Sequence, residues 1–330
     1  MTRFFDVFNG DADGLIARHQ YRLSFPVPCT DLTLITGSKR EVSLVSRVDL
    51  SGIFADAVDI SVFDISYDQN EASVLRLLDA GAAIRYFDHH RATRLLSHPQ
   101  LVAHIDTSPQ VCTSLIVDRY LSGAHRLWAI TAAFGDNLTE TASQLAAEAG
   151  LPIERTLLLQ SLGECINYNA YGDSISDLYY PPQEIANRMA PYQSPFEFAQ
   201  REEIFLRLQA GFAADLQMAH AVTPHDEGNV ASVYVLPDES WARRVSGAFA
   251  NRLVRASPQR AHAVLSCTAD GMYTVSIRAP LENPQDADAI AVQFTGGGGR
   301  AAAAGINRLA AQEITRLIAL LEQTYSTPAD

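Results

Sequence analysis

A pattern repeated through the first half of the chain constrains its fold more than any other feature: a short apolar segment ends in an acidic residue, and a stretch with helical spacing follows. Phe4-Phe5-Asp6-Val7-Phe8 runs into Asn9-Gly10-Asp11-Ala12-Asp13, and Ile60-Ser61-Val62-Phe63 into Asp64. Ala83-Ile84-Arg85-Tyr86-Phe87 likewise runs into Asp88, and Leu101-Val102-Ala103-His104-Ile105 into Asp106. Strands alternating with helices imply βαβ units and a mainly parallel sheet. Ligands of such sheets collect outside the carboxyl ends of the strands, and these acids all fall at that edge.

From about Thr107 to Gln160 the apolar spacing is helical, as in Leu115, Ile116, Tyr120 and Leu121, and predicts helices packed over the sheet. Tyr179-Tyr180-Pro181-Pro182 and Pro191-Tyr192-Gln193-Ser194-Pro195 break regular structure before an amphipathic stretch from Phe196 to His220. After Glu227 a second alternation begins, with strands expected at Val230 to Leu236, Ala261 to Cys267 and Tyr273 to Ile277 and a helix at Trp241 to Arg255. A chain of 330 residues exceeds one ordinary core. The expected architecture is therefore α/β with a parallel-sheet domain over 1–190, a helical linker over 191–225, a smaller α/β domain over 226–330, and a cleft between the domains.

The residues are 47% apolar and 19% charged, a balance that builds cores and carries no signature of disorder. No apolar run is long enough to span a bilayer, and Asp6 arrives before a signal-peptide core can form, so a cytoplasmic protein without membrane contact is expected. Cys29, Cys112, Cys165 and Cys267 are scattered and read as small buried residues rather than a disulfide framework or zinc ribbon. A net charge of −13 argues against gripping long nucleic acid, whose binding depends on Lys and Arg at phosphates.

Asp11-Ala12-Asp13-Gly14 places two carboxylates at a strand end where they can converge on a hard cation. It is not a calcium loop, because Leu15, Ile16 and Arg22 stand where an EF-hand needs an oxygen ligand, Gly and Glu. Asp88-His89-His90 adds imidazoles directly after a buried strand, and Gly135-Asp136-Asn137 ends a helical run. Asp11, Asp13, Asp64, His89 and Asp136 together form a carboxylate and imidazole set that suits manganese better than magnesium alone and does not resemble structural zinc. Near the other end, Gly296 to Arg300 followed by Ala301 to Gly305 reads as a glycine loop opening a helix, able to face an anion, with Arg300 and Arg278 as cationic clamps. A dinucleotide fingerprint is disfavoured there, since too little chain follows for a second βαβ unit.

In this order, Asp-x-Asp-Gly, Phe63-Asp64-Ile65-Ser66, Asp88-His89-His90, Gly135-Asp136 and a Gly-Gly-Gly-x-x-x-Ala-Ala-Gly element, the chain resembles the DHH phosphoesterases that carry a DHHA1 C-terminal domain. The resemblance covers nearly the whole sequence and implies two manganese ions, with magnesium or cobalt as substitutes. Asp11 and Asp64 would hold one ion, and Asp13, Asp64, His89 and Asp136 the other. Catalytic roles would fall to Asp64, Asp88 and His90, the last two behind the ligands or facing substrate. Gly297, Gly298, Gly299, Arg300 and Arg278 would bind substrate. Two departures stand out: Asn9 takes the place of a histidine ligand, which predicts a weaker first metal site, and Arg300 takes the place of the loop histidine. Asn167-Tyr168-Asn169-Ala170-Tyr171-Gly172 is expected to line the cleft, with its tyrosines available for base stacking.

The function expected on this resemblance is hydrolysis of short linear nucleotides, diribonucleotides such as pGpG, to nucleoside monophosphates, because the chain has no room for an added oligonucleotide-binding domain. Cleavage of a cyclic dinucleotide, or dephosphorylation of 3′-phosphoadenosine 5′-phosphate, is the alternative. A non-catalytic nucleotide sensor is the reading of a different class. Family habit further suggests a homodimer.

Overall fold

A computed structural model describes residues 2–52, 57–268 and 270–326. It divides into two compact units, Met1–Gln209 and Ala210–Asp330. In the first unit, strands β1 (Thr2–Phe8), β2 (Leu32–Thr36), β3 (Ala57–Phe63), β4 (Ala83–Asp88) and β5 (Leu101–Ile105) form one sheet in the order β2-β1-β3-β4-β5. Every neighbouring pair is parallel. The doubly buried strands explain the near-continuous apolar runs in the sequence.

The two faces follow from the period of two along each strand. Phe5, Val7, Ile60, Val62, Ile84 and Tyr86 share one core with Val74, Leu77 and Leu78 of α2 (Tyr67–Asp79). On the opposite face, under α1 (Ala12–Ser24), Tyr21 packs on Phe63 and Phe87, whose rings stack at 5.6 Å. Phe8, Phe63 and Phe87 pair in register and are buried, so the residue after each strand's aromatic emerges at the carboxyl edge. Helices α3 (Thr113–Tyr120), α4 (Arg126–Gly135), α5 (Thr139–Glu148) and α6 (Ile153–Asn169) follow, with α1 against α3 and α4, and α4 against α6. Pro182 and Pro195 sit in the first turns of α7 (Pro182–Met189) and α8 (Pro195–Arg201), where a missing N–H does no harm. The break between the units falls within α9 (Glu203–His220).

The second unit contains β6 (Asp226–Glu227), β7 (Ala231–Leu236), α10 (Ser240–Ala256), β8 (Ala261–Cys267), β9 (Tyr273–Arg278), α11 (Ala287–Ala291), β10 (Gly297–Arg300), β11 (Ala303–Leu309) and α12 (Ile314–Ser326). Its sheet runs β10-β11-β9-β8-β7-β6, with only β7 and β8 parallel. Val233, Leu265, Val275, Ile277 and Ile306 meet Leu317 and Leu321 of α12 in its core.

The glycine segment corrects the expectation of a loop opening a helix: Gly297–Arg300 and Ala303–Leu309 form an antiparallel hairpin. The glycines answer to close packing. A Cβ on Gly297 would lie 1.8 Å from the carbonyl oxygen of Ala291, at the end of α11. Gly299, at φ 151°, would meet the Ala304 backbone at 2.4 Å. Among the described residues no helix is long and apolar enough to cross a membrane.

Candidate metal centre

Asp11 and Asp13 enter the site because α1 begins at the end of β1. Asp11 is its N-cap, with Oδ1 accepting from Gly14 N at 3.0 Å. Asp13, in the first turn of α1, is 1% exposed and accepts from Thr113 N and Ser114 N, both at 2.7 Å. The first amides of α3 thus hold a carboxylate at the positive end of that helix. Thr113 and Ser114 had no motif to announce them; the only signal was a polar pair opening a helical run.

Asp64 follows β3 with φ 57°, a left-handed conformation that a non-glycine residue rarely adopts. Such strain concentrates at functional positions. Its Oδ1 lies 3.2 Å from Thr113 Oγ1 and 3.4 Å from His89 Nε2. His89 Nδ1 faces the carbonyl oxygen of Val111 at 3.0 Å, which leaves Nε2 toward the acids. Asp88 is fully buried and accepts from Tyr67 N, His89 N and His90 N, and its Oδ1 lies 2.7 Å from His90 Nδ1. Asp88 therefore shapes the turn and orients His90, whose side chain remains 44% exposed.

Asp136 arrives as the C-cap of α4. Asp13, His89 and Asp136 each offer a ligand atom, and these atoms lie within 4.8 Å of one another; Asp64, His89 and His90 form a second such group. Burial first, and then the charge of Asp64, pushes the Asp13 carboxyl up to about 6. Burial and the charge of Asp11 raise Asp64 to about 6, and burial, against the pull of Lys39, raises Asp136 to about 6. Burial works to lower the His89 pKa, but the hydrogen bond and charge of Asp64 outweigh it and raise the imidazole to about 10. Carboxyls raised by burial and by one another's charge, beside an imidazole with its second nitrogen fixed, favour a bound positive charge. This donor set fits a divalent cation.

Lys39 is a site residue that the sequence reading missed. It follows β2, and its Nζ sits 2.5 Å from Asp11 Oδ2, 3.3 Å from Asn167 Oδ1 and 3.9 Å from Asp136 Oδ1. The Asp11 pKa falls because, although burial raises it, the Lys39 ammonium lowers it more. Asn9 Oδ1 is turned to the backbone N of Asp11 at 3.4 Å. Asp106, one of the strand-end acids, stands apart with Arg119 at 2.8 Å.

In the second unit, Arg278 and Arg300 both pair in register with Ala303, which places them in one row across β9, β11 and β10. Arg278 Nε donates to Asn251 Oδ1 at 2.5 Å. Gly297, Gly298 and Gly299 lie in the same edge hairpin and not at a helix N-terminus.

No protein-family model and no curated protein matches the chain. Solved structures do. A DHH-domain member of the s1p family of ribosomal proteins aligns with a TM-score of 0.64 at 15% identity over 98% of this chain and 86% of its own. The exonuclease RecJ bound to manganese aligns at 0.57 and 15% identity, over 99% and 91%. The pGpG-specific phosphodiesterase PggH from Vibrio cholerae aligns at 0.52 and 11% identity, over 98% and 99%. Identities this low speak to architecture, and the architecture agrees from end to end: this chain has the two-domain fold of the DHH and DHHA1 proteins.

Proposed function

We propose that this protein is a divalent-metal-dependent DHH phosphoesterase that hydrolyses short linear nucleotides, diribonucleotides such as pGpG, to nucleoside monophosphates. The observation that carries the reading is the convergence of Asp13, His89 and Asp136 within 4.8 Å, with Asp64 beside His89, at the carboxyl edge of a parallel sheet. A divalent ion there supplies Lewis acidity to a phosphoryl group. Manganese is the preferred ion on the mixed oxygen and nitrogen donor set, and the manganese-bound RecJ of the same fold supports that choice.

The chain's own residues divide the remaining work. Asp13 is fixed by the α3 amides, and Asp64 by its left-handed backbone, so neither must reorganise as charge develops. His90, tethered through Nδ1 to Asp88, presents Nε2 as the proton donor to a leaving oxygen. Burial lowers its pKa, but Asp88 and Asp64 raise it by more, which keeps a proton available. Arg278 and Arg300 carry phosphate recognition in this reading. The small substrate is favoured by the net charge of −13 and by the likeness to a protein described as pGpG-specific.

The test incubates the purified protein with manganese or with a chelator against pGpG, other diribonucleotides, longer RNA, a cyclic dinucleotide and 3′-phosphoadenosine 5′-phosphate. Release of monophosphates from diribonucleotides, lost with chelator and in Asp64→Ala, His89→Ala, is expected. Tight nucleotide binding with no turnover of any compound would instead make the protein a sensor.

A further inference from the structure

Asp11 is set apart from the other acids of the centre by its partners. It is absent from both groups of converging ligand atoms. One of its oxygens accepts from Gly14 N at 3.0 Å and the other meets Lys39 Nζ at 2.5 Å. Asn9, beside it, points its oxygen at a backbone amide rather than into the cluster.

The ammonium is delivered by built structure. Lys39 N donates to Ala170 O at 3.0 Å, and Ser38 N donates to Glu41 Oε1 at 2.8 Å, which closes the turn after β2. That turn lies so close to the Asp11 loop that a Cβ on Gly10 would come 2.0 Å from the carbonyl oxygen of Gly37. At its tip, Nζ is received by Asp11, by Asn167 Oδ1 at 3.3 Å and by the face of Tyr171, 5.3 Å from the ring centroid. Asp136 Oδ1, at 3.9 Å, completes an anionic surround. The segment 167–172, expected to line a cleft, thus supplies two of the groups that hold a lysine.

Resting on the metal-centre reading above, we infer that Lys39 is a resident cation occupying one of the two cation positions of this acidic centre. The protein then binds one divalent ion, on Asp13, Asp64, His89 and Asp136, rather than two. An ammonium neutralises Asp11 without offering an exchangeable ligand position, and like-charge repulsion opposes a second ion beside it. A fixed monocation also remains in place when free metal is scarce.

The count of bound ions tests this without reference to turnover. Metal-free full-length protein is titrated with manganese at pH 8, without substrate, and bound ion is read from the loss of the free-ion electron paramagnetic resonance signal. Wild type and Lys39→Arg are expected to bind one ion per chain and Lys39→Met two. Asp11→Asn, which removes the partner of Lys39 and no ligand of the remaining ion, is expected to keep one. If Lys39→Met fails to fold, Asp11→Asn carries the test. Two ions in wild type, falling to one in Asp11→Asn, would overturn the role of Lys39 and leave the metal centre standing. No ion in wild type would overturn both.

Discussion

His89 Nδ1 lies 3.0 Å from the carbonyl oxygen of Val111, and because a carbonyl only accepts, that nitrogen keeps its proton in every state of the site. Metal binding must therefore remove the other proton, from Nε2.

With the imidazole raised to about 10, His89 is protonated at pH 7 in the metal-free protein, so each ion bound there expels about one proton. Below about pH 6, Asp13 and Asp136 also carry protons that the ion must displace, and affinity falls more steeply. Calorimetric titrations with manganese in buffers of different ionisation enthalpy should show this release. His89→Ala should bind at least about 100-fold more weakly, since losing even a ligand's outer partner commonly costs about 10–100-fold. Metal affinity independent of pH between 5 and 9 would contradict the assignment.

Asp136→Asn separates the cost of gathering acids from the benefit of the ion. A carboxylate whose folded pKa lies near 6, against 3.8 ordinarily, binds more protons folded than unfolded between those values, so its ionisation erodes stability as pH rises through that window. At pH 7.5 in chelator the amide variant should be more stable than wild type, by about 1–3 kcal/mol. Adding manganese should raise the wild-type melting temperature and move the variant less. Differential scanning fluorimetry with and without metal checks both halves.

How far the sequence spoke for this site depended on which strands announced themselves. The apolar runs of β1, β3, β4 and β5 lead into acids, and Asp13 after β1, Asp64 after β3 and His89 after β4 come together, whereas Asp11 meets Lys39 and Asp106 stands apart. β2 ends Ile35-Thr36 and runs into Gly37, carries no acid and is only partly buried, so it left no signal, and Lys39 went unread with it. Its position is a consequence of topology: β2 pairs parallel with β1, so whatever follows β2 emerges beside Asp11. The hairpin of Gly297–Arg300 and Ala303–Leu309 was misread because glycine and alanine erase the alternation that marks a strand. The strand character came instead from Ala303 and Ile306 pairing with Arg278 and Val275.

Asp6 tests the scaffold apart from the chemistry. It is fully buried in β1 and receives Arg18 Nε at 2.8 Å and Arg22 Nη2 at 2.5 Å, both from α1. These pairs fix α1 on the sheet and so fix its N-cap, Asp11. Asp6→Ala leaves two guanidinium groups without their anion in a site of low exposure, and should lower unfolding stability by about 3–5 kcal/mol. Urea unfolding measures the loss. A variant as stable as wild type would mean that the arginines find water or new partners at no cost.

His19 is a buried histidine whose neutrality makes the first unit less stable in acid. It is 2% exposed, edge-on to Trp128 at a centroid distance of 4.7 Å, with Nε2 2.9 Å from the carbonyl oxygen of Tyr192. Burial, only partly opposed by that carbonyl, holds its pKa down to about 3. The unfolded chain takes up the proton near the ordinary value of 6.5, so between about 6.5 and 3 the unfolded state binds more protons than the folded one. Stability contributed by neutral His19 is complete above pH 6.5 and drains as pH falls, by up to about 1.4 kcal/mol per pH unit. His19→Gln keeps a donor for the Tyr192 carbonyl but cannot take up a proton, so its stability should fall less between pH 6.5 and 4.5 than that of wild type. Equal slopes in urea unfolding across that range would show that His19 is not the group that titrates.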